Sequence, residues 1–360
     1  FAKSSAKELK VVQKYNKHSF IDQDGKEIFD AQSGNGAFPF GFDCAEIIDY
    51  VAQKIKEVPF VRANNYTTSE AVLQLNEKFK QLSHGKFTHV FYGLSGSDAT
   101  ETAIKMALSY WKAKRKPEKD KVISFLHGYH GSSFVASSLT GMKAFHKPFK
   151  NVLPFEWSIH VNQPRWFGVK TESEIQTIEF ESLVELENTI IENGPDSIAA
   201  IIKEPFSWQS GVHPSSKNYY QKLSDICHKY DILLIIDDIC TGGGKLGTYF
   251  GHEWMGIDCD ISCNAKGITG GFFPLSATFC NEEVGSVLYD SNFIHGWTFC
   301  PTMAGVYSTL KAIELWEKSN GVRDISVTME KCSAELLYKG LIEGYRVEGV
   351  FCGIDIKPEF

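Results

Sequence analysis

The sequence predicts an α/β protein whose sheet is mostly parallel, and three observations carry that expectation. In the middle of the chain, short apolar runs alternate with amphipathic helical patterns, the signature of βαβ units. Several of the apolar runs lead into ionisable residues, Glu204, Asp237 and Lys266, at the strand ends where such sheets collect ligands. With 360 residues, 43% hydrophobic and 22% charged, the chain has enough material for a large core and about two domains.

Taken in order, the first 45 residues differ from the rest. His18–Asp30 reads as a hairpin about Asp24-Gly25, and Ser33-Gly-Asn-Gly36 as a flexible loop that exposes its backbone. Gly93-Leu-Ser-Gly-Ser-Asp98 opens a helical pattern in which Ala103, Met106, Ala107, Tyr110 and Trp111 share a face. Lys121 to Leu126 is a strand. From Ser182 to Asn193, Leu183, Leu186, Ile190 and Ile191 fall at helical spacing, and Ile198 to Ile202 is a buried strand. Ser216 to Tyr230 is helical, Ile232 to Ile236 is again a strand, and Asp258 to Cys263 is a shorter strand-like run. Beyond Cys300 two helices are expected, Met303 to Lys318 and Val327 to Ile342, before a last strand in Gly349 to Ile356. There is no internal repeat. The chain opens on Phe1 without a start methionine or signal peptide and stops at Phe360 just after that strand, so both ends read as trimmed.

Composition excludes several classes of partner. A net charge of −7 gives no basic footprint for nucleic acid, and no apolar run reaches the length of a membrane span. Nine cysteines form no CxxC pair; Cys259 and Cys263 are the closest, within a run expected to be buried. Reduced, mostly core thiols of a cytoplasmic protein are the reading. No second cluster completes a zinc site, so no metal is expected.

The chemistry starts from Asp237 and Asp238 at the end of an apolar strand, and from Lys266 in a run of small residues. Such a lysine can hold an aldehyde as a Schiff base, and a carboxylate can keep a pyridine nitrogen protonated. Burial among Ala265, Gly267 and Gly270 would lower the lysine's proton affinity and help it act as a base. Gly96 and Ser97 open a helix whose free N–H groups suit an anion, although by itself this fragment reads more readily as an ordinary cap by Ser97 or Asp98. In His127-Gly-Tyr-His-Gly131, Tyr129 could lie on a planar ring or simply fill a turn; His127 and His130 lack the partners for a metal. Thr241-Gly-Gly-Gly-Lys-Leu-Gly247 fails as a P-loop, because Ile239 and Leu246 stand where glycine and a hydroxyl are required. It reads instead as a flexible rim loop.

These residues resemble the class III (ω-type) aminotransferases, pyridoxal-phosphate enzymes of fold type I, the aspartate-aminotransferase-like fold. The matching blocks are Ser95–Lys105, Gly128-Tyr-His-Gly131, Lys203-Glu-Pro205, Leu234–Ile239, Asn264-Ala-Lys-Gly267 and His295-Gly-Trp-Thr-Phe299, so the likeness covers nearly the whole chain. The resemblance implies a large cofactor-binding domain, 46–300, with a mostly parallel central sheet. A smaller α+β domain would come from 1–45 and 301–360, its C-terminal part incomplete. It implies pyridoxal 5'-phosphate as cofactor, Lys266 as Schiff-base lysine and proton shuttle, and Asp237 as partner of the pyridine nitrogen. Gly96, Ser97, Tyr129, His130, Glu204 and Ile239 complete the cofactor site. Thr298 would be donated by the second subunit of a homodimer with shared active sites.

The reaction implied is ping-pong transfer of an amino group from an amine or amino acid, often an ω-amino compound, to a keto acid such as pyruvate or 2-oxoglutarate. Two branches compete. Tyr110–Lys119, Ser137–Gly141 and Phe145–Phe149 look like the ω-amine:pyruvate branch, and His295–Phe299 with Leu275–Thr278 like the diaminopelargonate branch. An aminomutase or racemase shares the lysine and the aspartate, and a non-catalytic relative would bind no cofactor. Against the family's pattern, Asp238 stands for a usual glutamate, Cys240 for a common glutamine, and Lys245 for a common arginine. By the resemblance, the arginine region with which many members bind a substrate carboxylate is expected after Phe360.

Overall fold

The computed structural model describes residues 10–62, 67–149, 151–153, 155–291 and 293–357. The readings made at Phe1 and Phe360 lie outside these. A three-stranded sheet comes first, β1 (Val12–Tyr15), β2 (Ser19–Asp22) and β3 (Glu27–Phe29), paired antiparallel in that order. The hairpin about Asp24-Gly25 closes as expected. Asp22 Oδ1 accepts the N–H groups of Asp24 and Lys26 at 3.0 and 2.9 Å, and Gly25 takes the left-handed conformation the turn requires.

The central sheet holds β4 (His89–Gly93), β5 (Lys121–Phe125), β6 (Ser158–Val161), β7 (Ile198–Lys203), β8 (Leu233–Asp237), β9 (Ile261–Asn264) and β10 (Ser276–Cys280). Their spatial order is β4-β10-β9-β8-β7-β5-β6. The pairs β5–β6, β5–β7, β7–β8 and β8–β9 are parallel, while β10 runs antiparallel to both β4 and β9. A loop suffices to reverse the chain between β9 and β10, whereas each parallel neighbour needs a crossover. Both β7 and β8 are buried along their whole length, which explains why they read as unbroken apolar runs. Along β8 the pleat still divides them: Leu233 and Ile235 pack on one face with Ala103, Ala107 and Trp111, and Leu234 and Ile236 on the other with Leu186, Tyr219 and Leu223. The helices Gly96–Ala113 on one side, and Glu172–Asn193 and Lys217–Lys229 on the other, supply those partners.

Four expectations need correction. The helix through Leu183 begins at Glu172, ten residues before Ser182, because Thr171 and Glu174 form a capping box ahead of a mostly polar first half that carries little apolar signal. The last helix is Gly321–Tyr338 rather than Val327 to Ile342; Gly340, at φ +67°, ends the turn, and Ile342 starts a hairpin of β11 (Ile342–Glu348) and β12 (Phe351–Ile356). Ser33-Gly-Asn-Gly36 is a tight turn with positive φ at all four residues, not an open loop. All nine cysteines are unpaired; Cys227, Cys263 and Cys280 are buried, and Cys259 precedes β9 rather than lying in it.

Candidate active site

Because β7, β8 and β9 are parallel neighbours, their carboxyl ends lie side by side. Glu204 follows β7, Asp237 closes β8, and Lys266 follows β9 by two residues. The chain segments after β4 and β5 reach the same end of the sheet and bring Gly96, Ser97, Tyr129 and His130.

Asp237 is 3% exposed and its two oxygens have separate partners. Oδ2 accepts from His130 Nδ1 at 2.7 Å, and Oδ1 from the Ile239 N–H at 3.1 Å. An ionised carboxylate only accepts, so the proton of this imidazole is on Nδ1. His130 is held in turn: its N–H donates to Thr140 Oγ1 at 3.0 Å, and its carbonyl accepts from Thr100 Oγ1 at 2.8 Å. His130 therefore stands behind Asp237, braced by two threonines and 1% exposed. Among the described residues, no group of three or more His, Cys, Asp and Glu is placed to hold a metal.

At the start of the helix Gly96–Ala113 the cap is Ser95, not Ser97 or Asp98. Ser95 and Asp98 form a reciprocal capping box, and the Asp98 carboxylate also accepts the Leu94 N–H at 3.0 Å. Ser97 is thereby released, and its Oγ accepts from the Ser132 N–H at 3.1 Å. The neighbouring backbones approach closely. A Cβ on Gly96 would meet Ile239 Cγ2 at 2.8 Å, and one on Gly131 would meet Ser97 Oγ at 2.6 Å. Tyr129 donates its N–H to Glu204 Oε2 at 3.1 Å, and its half-buried ring meets Phe145 at 5.3 Å. Burial raises the proton affinity of Glu204, a rise partly offset by His130 and Lys203, and burial lowers that of its neighbour Lys203.

Lys266 is half-buried and holds a left-handed backbone, φ +51°, rare for a side chain with a Cβ. Its Nζ donates to Cys240 Sγ at 2.8 Å and lies 5.3 Å from the centre of the Trp208 ring. Together with Ser95, Gly96 and Phe272 it lines a cavity of about 390 Å³.

The loop Thr241–Gly247 is not a flexible rim. Thr241 to Leu246 are buried, Asp238 accepts from Thr241 Oγ1 at 2.6 Å and from the Gly251 N–H at 2.6 Å, and the left-handed Gly244 packs under the Trp316 indole. Burial raises the Asp238 carboxyl to about 7. Lys245 is buried too, lowered by that burial to about 8, and donates to the Gly36 carbonyl at 2.8 Å. The turn at Ser33–Gly36 thus has a definite task, aiming a carbonyl at Lys245.

Thr298 is exposed and lines a different cavity, about 450 Å³, with Phe60, Arg62 and Trp297. Within one chain it does not share the Lys266 cavity. Sequence reasoning missed Trp208 and the bracing threonines; nothing local marks them, since each matters only through a neighbour distant in sequence.

The mostly parallel sheet, with a lysine, a buried aspartate and close-set backbone at a helix start gathered at its carboxyl edge, has the architecture of fold type I. The chain belongs to the class III aminotransferases: the family model described as Aminotransferase class-III matches residues 1–360. A diaminobutyrate–2-oxoglutarate transaminase of Halomonas elongata is 34% identical over 306 residues, 83% of this chain and 65% of its own. A putrescine–pyruvate aminotransferase of Pseudomonas aeruginosa is 32% identical over 279 residues, 77% and 61% of the two chains. The crystal structure of the omega transaminase from Pseudomonas jessenii in complex with PMP superposes with a TM-score of 0.91 at 27% identity, covering 97% of this chain and 78% of that one. The chain thus spans somewhat less than two thirds of the length of those two curated relatives. Family membership implies pyridoxal phosphate as the cofactor.

The residues present fit that group. The buried Asp237 carboxylate offers a negative charge to a ring nitrogen, the glycines at 96 and 131 leave room where any Cβ would collide, and the first turn of a long helix offers free N–H groups to a phosphate.

Proposed function

We propose that the protein is an aminotransferase that moves the amino group of an amine or amino acid, an ω-amino compound for preference, to a keto acid. The observation that carries this reading is the alignment of Glu204, Asp237 and Lys266 on consecutive parallel strand ends. Bound there, pyridoxal phosphate supplies an aldehyde that takes up amines and a protonated ring that draws electrons from them. Lys266 brings the amine that anchors the aldehyde and afterwards moves a proton on the substrate carbon. Asp237 holds the ring proton, and His130 fixes the direction of its carboxylate. Gly96 and Ser97 would receive the phosphate, Tyr129 and Ile239 would flank the ring, and Glu204 would lie close to the cofactor.

Thr298 would complete the phosphate site of a partner subunit, a reading supported by its exposure and its separate cavity. A homodimer with shared sites follows from it. In the same reading 46–300 forms the cofactor domain and 1–45 with 301–360 the smaller one. Nine unpaired cysteines support a reducing, cytoplasmic location. The ω-amine branch is favoured over the diaminopelargonate branch by the names of the relatives, which include diaminobutyrate and putrescine enzymes.

Borohydride reduction followed by peptide mapping is expected to label Lys266, and Lys266→Ala to abolish both the label and turnover. A loaded protein with no modified lysine would overturn the reading. A panel of amines against pyruvate and 2-oxoglutarate should release one carbonyl product per amine transferred; amine retained on the same molecule would indicate a mutase instead.

A further inference from the structure

A cavity of about 610 Å³ reaches the Trp208 ring, from whose centre the Lys266 amine lies 5.3 Å away. Its walls come from the turn Ser33–Gly36, from Trp208 and Gln209 after β7, and from the hairpin of β11 and β12. Gln32, Asn35 and Gln209 give it amides, and among the described residues no carboxylate lines it. Its positive charge comes from Lys245, which also lines the cavity and is 3% exposed.

That ammonium is short of partners. It has three N–H donors, and the acceptor found for it among the described residues is the Gly36 carbonyl at 2.8 Å. The charge of Asp238 acts on it, but the two Asp238 oxygens are taken up by Thr241 Oγ1 and the Gly251 N–H. The Phe351 ring, which lines the same cavity, lies 5.8 Å from Nζ. A Cβ on Gly267 would meet Nζ at 3.1 Å, so the ammonium stands against the backbone that directly follows Lys266.

We propose that Lys245 is the counter-ion for a carboxylate of the substrate, bound in this cavity beside Trp208. The substrate's identity as an amino acid or keto acid rests on the aminotransferase reading; the carboxylate site itself does not. A buried ammonium without a paired acid is costly, and an incoming carboxylate offsets that cost while accepting the spare N–H groups. An amine that lacks an acid group leaves the cost in place, so the site favours amino acids over plain amines. Burial lowers Lys245 to about 8, which keeps it mostly charged at neutral pH, and a bound anion would raise it again.

The test is calorimetric titration of the full, cofactor-loaded chain with glutarate, a dicarboxylate without a carbonyl that binds but does not react, and with the uncharged glutaramide. Glutarate is expected to bind about tenfold or more tightly than glutaramide. Lys245→Met and, independently, Lys245→Gln should remove that difference by weakening glutarate alone, and Lys245→Arg should restore it. Glutarate that binds no better than glutaramide to the unaltered chain overturns the proposal, and this comparison needs no variant to fold. A difference that survives in Lys245→Met or Lys245→Gln overturns it as well. For donors that turn over, kcat/KM of the first half-reaction for an amino acid, relative to an amine without a carboxylate, should fall about tenfold in Lys245→Met and be kept in Lys245→Arg. If borohydride labels no lysine, the aminotransferase reading fails, while the glutarate titrations still decide the role of Lys245.

Discussion

Asp237 and His130 form a buried unit whose parts do different things. The carboxylate carries the charge, and the imidazole, on a backbone held by Thr100 and Thr140, decides where that charge points. Removing the charge in Asp237→Asn is expected to lower turnover by about a hundredfold or more, since two pKa units of ring protonation correspond to that factor. His130→Ala leaves the charge but frees its orientation, and small misplacements near reacting atoms cost up to about a hundredfold, so a smaller loss than for Asp237→Asn is expected. Steady-state rates of the two variants, compared at saturating cofactor, check the order. Equal losses would mean that orientation, not charge, dominates. Lys266 adds a second constraint: its left-handed backbone directs the amine toward Cys240 and costs roughly 1–2 kcal/mol that the packed surroundings must supply.

Among the elements, the hairpin of β11 and β12 depends on one buried ion pair. Arg346 donates to both oxygens of Asp355 at 2.6 and 2.7 Å and to the Gly211 carbonyl at 3.0 Å; Asp355 also accepts the Gly168 N–H at 2.8 Å. The pair ties the hairpin to two loops that follow β6 and β7. Deleting one partner strands the other, so Asp355→Ala should destabilise the protein by about 3 kcal/mol, read from the urea midpoint. Burial pushes the Asp355 carboxyl up, but hydrogen bonds from Arg346 and Gly168 and the guanidinium charge outweigh it and hold the group below its ordinary value of 3.8. A depressed folded value means that the stabilisation is fully present above pH 3.8 and is lost as the pH falls below it. The acid limb of the stability curve should therefore flatten in Asp355→Ala.

For the whole molecule, the exposure of Thr298 leads to a test of shared sites. In a hybrid of Lys266→Ala and Thr298→Ala subunits, one site would lack both residues and the other would keep both. Mixing and reassembling the two variants at limiting cofactor should restore about a quarter of the unaltered activity, because half of the dimers are hybrids with one intact site each. Activity that stays at the level of the separate variants would mean that each chain builds its site alone.

The sequence by itself determined the parallel sheet, the strand that delivers Asp237 and the loop that presents Lys266, together with the family blocks around them. These are carried by local patterns: apolar runs long enough for a strand, helical spacing, and glycine where no side chain fits. Local pattern also failed locally, at the polar first half of the helix Glu172–Asn193 and at the buried stretch Thr241–Leu246, where charge and glycine mimic a loop. Only the tertiary structure decided which residues face one another. His130 reaches Asp237 across 107 positions, and Cys240 reaches Lys266 across 26, because β5, β7, β8 and β9 stand next to each other in the sheet. Strand order is set by how the whole chain buries its apolar faces, and no short segment contains that information.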